Sequence, residues 1–118
     1  MTQPDPACLF CRIVAGEIPS TPVYRDTQLY VFPDVHPRAP VHLLIVPIEH
    51  LLPSIAEMSE KHIGLVGQMV YRAKLLAEEQ GIAADGYRLV FNVRQHGGQE
   101  VDHVHLHLLG GQPLGRLG

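Results

Sequence analysis

His103-Val104-His105-Leu106-His107-Leu108-Leu109 is the stretch that decides the fold. Histidine and aliphatic residues alternate with a period of two, so the segment is predicted as a strand. Successive side chains of a strand point to opposite faces. His103, His105 and His107 therefore share one side, about 7 Å apart along the chain, while Val104, Leu106 and Leu108 enter a core. A half-buried strand can show any polar residue to solvent, but choosing histidine three times running points to chemistry. The row suits a metal site, or a nucleophile with proton shuttles for phosphoryl transfer. An ordinary imidazole titrates near neutrality, which lets neighbouring rings hold opposite protonation states at pH 7.

The flanking residues favour phosphoryl chemistry. The polar loop Arg94-Gln95-His96-Gly97-Gly98-Gln99-Glu100 precedes the row, and backbone N–H groups of such a loop can cradle phosphate oxygens. Tyr87-Arg88-Leu89-Val90-Phe91-Asn92 reads as a strand; paired with the histidine strand as a hairpin, it brings Asn92 to the mouth of the row. Further back, Ile63, Val66, Met69, Val70, Ala73, Leu76 and Ala77 recur at helical spacing. They predict one long helix from about Ser59 to Gln80, capped by Ser59 and Gly81. Gly64 and Gly67 inside it are expected to mark a close approach to another element. Ser54-Ile55-Ala56-Glu57 has the pattern of a capping box and predicts a short turn. His42-Leu43-Leu44-Ile45-Val46-Pro47 is a buried strand ended by proline. Val23–Asp26 and Leu29–Phe32 are strands joined by a turn at Asp26-Thr27-Gln28, and Leu9–Gly16 is a short helix stopped at Gly16. Strands, one helix, then strands again give an α+β class with a mostly antiparallel sheet.

A chain of 118 residues, 46% hydrophobic and 18% charged, suits one domain over 1–118. Residues 1–7 are expected to be flexible, and 112–118 to form a short tail. A net charge of −3 offers no basic surface for polymeric nucleic acid. No apolar run is long enough to span a membrane, and the start lacks a secretory pattern. A cytoplasmic, reducing location is expected. The two cysteines, Cys8 and Cys11, have the spacing of half a zinc site, the alternative being two free buried thiols.

With these residues in place the chain resembles the histidine triad family, nearest its Hint branch of nucleotide-binding hydrolases. The seven-residue row matches the family signature in full. Phe10, Ile13, Phe32-Pro33-Asp34-Val35, His42, Asn92 and Gly97-Gly98-Gln99 stand in register with it. The resemblance implies a sheet of about five strands with one long and one short N-terminal helix, assembled as a homodimer. It also implies cleavage of the P–N bond of purine nucleoside phosphoramidates through a nucleotidyl-histidine intermediate. His105 would attack phosphorus, with His107, His42 and His103 as the other catalytic histidines. Leu9, Phe10, Ile13, Phe32 and Val35 would wall the base and Asp34 would hold the ribose. Asn92 and the amides around Gly98, Gln99 and Glu100 would serve the phosphate together with His105 and His107. His50 and His103 would complete a structural zinc site with Cys8 and Cys11, and no organic cofactor is implied. Three departures stand out: Asp102 where an aromatic is common, Glu100 where some relatives carry serine, and the short tail. The alternatives are a purine-nucleotide sensing module with little turnover and a catalytic zinc hydrolase built on the histidine row.

Overall fold

The computed structural model describes residues 7–116. The flexible segment expected over 1–7 and the tail expected over 112–118 fall, at 1–6 and 117–118, outside the described residues. The elements are α1 (Leu9–Val14), β1 (Tyr24–Arg25), β2 (Leu29–Pro33), β3 (Val41–Pro47), α2 (Ile63–Glu79), β4 (Tyr87–Val90) and β5 (Leu106–Gly110). The five strands form one antiparallel sheet in the order β1-β2-β3-β5-β4, the α+β arrangement expected. Asp26 closes the first hairpin: its carboxylate accepts the backbone N–H groups of Gln28 and Leu29 at 2.7 and 2.8 Å. Ser54 likewise opens the short turn Ile55–Glu57.

The register sorts the sheet into two unlike faces. Val31, Ile45 and Leu106 lie abreast in one row, and Leu43, Leu108 and Leu89 in another. With Met69, Ala73, Leu76 and Ala77 of α2 they form the main core. The alternate residues face the other way. Phe32, Leu44, His107 and Val90 make one cross-strand row; His42, Leu109 and Arg88 make the next. On this side α1 is the short cover, packing Phe10, Cys11 and Ile13 against Tyr30, Phe32, Leu44 and Val46. That accounts for the β2–β3 half. Over the β5–β4 half lies a groove of about 320 Å³.

Three sequence expectations change. The long helix begins one turn late, after a tighter 3-10 turn at Glu60–His62. Ser59 N–H donates to His62 Nδ1 at 3.0 Å, giving that histidine a capping role its sequence position did not reveal. The far end stops as expected. Gly81, at φ +75°, lets its own N–H reach Glu78 O and the Ile82 N–H reach Ala77 O, which turns buried Ile82 back into the core. Gly64 and Gly67 mark no close approach, since a methyl group on either would meet nothing within 4 Å among the described residues. They lie on the solvent side of α2 with exposed Ile63, Val70 and Tyr71.

The third change is in the histidine row. β5 pairs with β3 only from Leu106 onward, and His103–His105 precede it. The ladder stops because β3 ends at Pro47, whose nitrogen has no hydrogen to give. Val104 N–H turns instead to Leu52 O at 2.8 Å. The alternation persists without the ladder: Val104 enters the main core, while the rings of His103 and His105 meet Phe10 on the opposite side.

Candidate active site

Each ring of the row has a tautomer fixed, directly or through a neighbouring ring, by a backbone group that can only accept or only donate. His105 Nδ1 lies 2.8 Å from the carbonyl oxygen of His103. A carbonyl only accepts, so the His105 hydrogen sits on Nδ1 and Nε2 carries the lone pair. Burial lowers the pKa of this ring below its ordinary value, opposed by its hydrogen bond to His103 and by the charges of Asp34 and Glu100. Phe10 packs edge-on against it with ring centres 4.9 Å apart. His105 is thus a neutral, oriented imidazole with an unprotonated Nε2.

A second chain fixes His107. The backbone N–H of Arg38 donates to His42 Nδ1 at 3.1 Å. The His42 proton therefore sits on Nε2, which lies 2.9 Å from His107 Nδ1. His107 must accept there, leaving its own N–H on Nε2. Burial pushes His107 down to about 4, with further lowering from His105 and His42. His42 is also lowered, chiefly by burial. In the ligand-free site the three rings are therefore neutral: loss of hydration outweighs the ordinary pKa of imidazole. Asp34 supports this end, its Oδ2 3.4 Å from His42 Nε2 and its Oδ1 accepting the His36 N–H at 2.9 Å. Asp34, His42 and His107 converge closely enough to hold a metal ion, although hydrogen bonds among them already engage the facing atoms.

His103 is different. It is 1% exposed, and its Nε2 donates to Pro47 O at 2.8 Å. Its Nδ1 lone pair lies 3.3 Å from Cys8 Sγ, 3.5 Å from Cys11 Sγ and 3.2 Å from His50 Nδ1. His50 Nδ1 lies 3.3 Å from Cys11 Sγ. Tetrahedral zinc with ordinary bond lengths has ligand edges of about 3.55 Å for S···N and about 3.35 Å for N···N, so this donor set fits such an ion. Burial drives the Cys8 thiol up to about 11, so a cation is needed to hold the thiolate there. Neither nitrogen of His103 is left for a substrate; the residue reaches the site through its carbonyl, on His105.

The loop before the row is held from beneath. Gln99 donates through Nε2 to Pro53 O and Val101 O, at 2.7 and 3.0 Å, and accepts Arg94 N–H through Oε1 at 2.9 Å. Arg94 pairs with Glu57. Asn92 Nδ2 donates to Gly97 O at 2.8 Å, which leaves its second N–H for the groove it lines. A side chain on Gly97 would strike the Val93 backbone. The N–H groups of Gly98 and Gln99 close the turn, on Gln95 O and Arg94 O. Of the expected base wall, Phe10, Ile13 and Phe32 are buried, whereas Leu9 is 43% and Val35 81% exposed. Two charged groove residues had no expected role: Arg38 and Arg88 line it beside His42 and His107. Arg88 stands four positions before Asn92, so strand alternation places both on one face, but only the pairing with Leu109 and His42 brings it to the site.

Residues 7–115 match the family model described as scavenger mRNA decapping enzyme C-term binding. The chain is 49% identical over 109 residues to a purine nucleoside phosphoramidase of Escherichia coli (strain K12), covering 92% of this chain and 91% of that one. It is 42% identical to a 14 kDa zinc-binding protein of Zea mays, over 93% of this chain and 86% of the relative. Among solved structures, a HIT family hydrolase of Legionella pneumophila Philadelphia 1 superposes with a TM-score of 0.86 at 48% identity, covering 92% of this chain and 99% of that one.

Proposed function

The chain belongs to the histidine triad (HIT) family of hydrolases, and from that premise we propose that it cleaves the P–N bond of purine nucleoside phosphoramidates. The observation that carries this reading is the bond from His105 Nδ1 to the His103 carbonyl, which leaves a neutral Nε2 lone pair beside a proton-bearing His107 Nε2. His105 Nε2 attacks the α-phosphorus; the P–N bond breaks and its electron pair goes to the amine. The anionic phosphoryl group raises the proton affinity of the rings around it, so a proton enters with the substrate, and His107 passes one to the departing amine. Water then attacks phosphorus, the P–Nε2 pair returns to His105, and the proton lost by water restores His107. The free Asn92 N–H and the Glu100 backbone N–H face the oxygens where charge collects. Asp34 takes the ribose hydroxyls, and Phe10, Ile13 and Phe32, with Leu9 and Val35 at the rim, enclose the purine.

Cys8, Cys11, His50 and His103 would hold a structural zinc ion, which would fix the His103 ring, whose carbonyl orients His105. The donor distances support this reading, as does the zinc-binding relative. Exposed Ile63, Val70 and Tyr71 beside the open Gly64 and Gly67 support a homodimer built on α2. Two cysteines side by side with no disulfide between them suit a reducing, cytoplasmic location. Among the described residues no helix is long and apolar enough to cross a membrane.

The test is turnover of adenosine 5′-phosphoramidate by a His105→Ala variant. Loss of at least about 10⁴-fold in kcat, with AMP binding retained, is expected. A near-normal rate would remove His105 as the nucleophile. Binding without turnover of any phosphoramidate by the unaltered chain would favour the sensing module instead.

A further inference from the structure

The groove over β4 and β5 is lined by two arginines that no carboxylate neutralises among the described residues. Arg38, on the loop before β3, and Arg88, on β4, line it together with His42, Asn92, His107 and Leu114. Among the described residues the ion pairs join Arg12 to Glu17, His42 to Asp34, Lys74 to Glu78 and Arg94 to Glu57; neither Arg38 nor Arg88 has a carboxylate. Arg88 donates one N–H to Gly115 O, and this bond to the tail steadies the guanidinium without touching its charge. The charge of Arg38 reaches the imidazoles, where it opposes protonation of both His42 and His107. Two unpaired cations in a concave site focus a positive field on whatever enters. Guanidinium also matches the planar geometry of an oxyanion.

Position decides which part of the substrate meets that field. The buried aromatic side of the site is where Phe10 of α1 packs on Phe32 of β2. His107 stands between that side and the groove, its cross-strand neighbours being Leu44 toward α1 and Val90 toward the groove. A nucleoside on the α1 side puts its phosphorus at His105 and His107 and sends the leaving group into the groove.

Resting on the phosphoramidase reading, we infer that Arg38 and Arg88 form a leaving-group subsite, selecting substrates whose departing group carries an oxyanion such as the carboxylate of an amino acid. The cost of crowding anions near the phosphate is offset by the pair of guanidiniums, and a neutral leaving group forgoes that contact.

Equilibrium binding to a His105→Ala chain tests the subsite without relying on turnover. The probes are adenosine 5′-phosphate joined through nitrogen to alanine, the same molecule as its uncharged alaninamide, and adenosine 5′-phosphosulfate compared with adenosine 5′-phosphoramidate. The alaninate is expected to bind about tenfold tighter than the alaninamide, and adding Arg38→Gln with Arg88→Gln should bring that ratio to near one. Arg38→Gln alone, at a side chain with no bond inside the protein, should remove part of the preference should Arg88→Gln disturb the tail. A preference shown by only one of the carboxylate and sulfate probes assigns the subsite to that oxyanion. Equal affinity for alaninate and alaninamide, or a preference that survives both substitutions, overturns the inference. Turnover of adenosine 5′-phosphoramidate by the unaltered chain is judged apart: its absence removes the hydrolase reading, while a charge-dependent ratio still establishes the subsite.

Discussion

The two faces of the sheet are made from the same strands and serve opposite ends. Under α2, Leu43, Ile45, Leu106 and Leu108 meet Met69 and Leu76 with no polar group among them. Under α1 and beside it, the alternate residues of β3 and β5 include His42 and His107. One face lowers free energy by removing apolar area from water. The other spends part of that on neutral imidazoles whose hydration is largely lost: both nitrogens of His42 are bonded, while His107 keeps its Nε2–H for chemistry. Because the strand period is two, neighbouring residues of one strand fall on opposite sides of this division, and single substitutions can separate stability from chemistry.

His107 and Leu108 give the sharpest contrast. His107→Ala should lower kcat/KM for adenosine 5′-phosphoramidate about 10²- to 10⁴-fold with little change in the urea midpoint. Leu108→Ala, one residue on, should cost about 2–5 kcal/mol of stability while leaving kcat per folded molecule near normal. Equal losses of activity and stability in both variants would erase the contrast. Cys11→Ser should abolish bound zinc measured by elemental analysis and lower the Tm; a parent chain that binds no zinc at all would break the metal assignment.

A third expectation concerns pH. In the fold His107 protonates near 4, whereas an unfolded histidine takes its proton near 6.5. Between those values the unfolded chain binds more protons, so stability should fall as pH drops from about 6.5 and level off below about 4. His107→Gln should flatten that slope in urea titrations across the window; an unchanged slope would show that the ring is not buried neutral. The smallest effect belongs to α2. Gly64→Ala should stabilise an isolated chain by up to about 1 kcal/mol, since the position is helical and open. A loss of stability together with a shift toward monomer in sedimentation would locate the dimer contact there.

The α2 face was legible in sequence because burial repeats with the element: period two in β3 and β5, helical spacing in α2. The site was legible in part. The single-face alignment of the histidines followed from alternation alone, and Cys8-x-x-Cys11 announced half of the sulfur and nitrogen cluster. What stayed hidden depends on long-range pairing. Nothing local to Arg38 or Arg88 tells that they flank His107, because the β3–β5–β4 register brings them there. Gln99 looked like a phosphate-loop residue; its side chain bonds Pro53, a partner no pattern in the loop could name. The ladder's early end at Leu106 was written in Pro47, but reading it required knowing that β3 and β5 are neighbours.

The most direct measurement is a rapid alkaline quench of the protein during turnover of adenosine 5′-phosphoramidate, followed by intact mass and peptide mapping. One adenylyl group on His105 is the expected result. Release of AMP at full rate with no adenylylated protein at any time would contradict covalent attack by that ring.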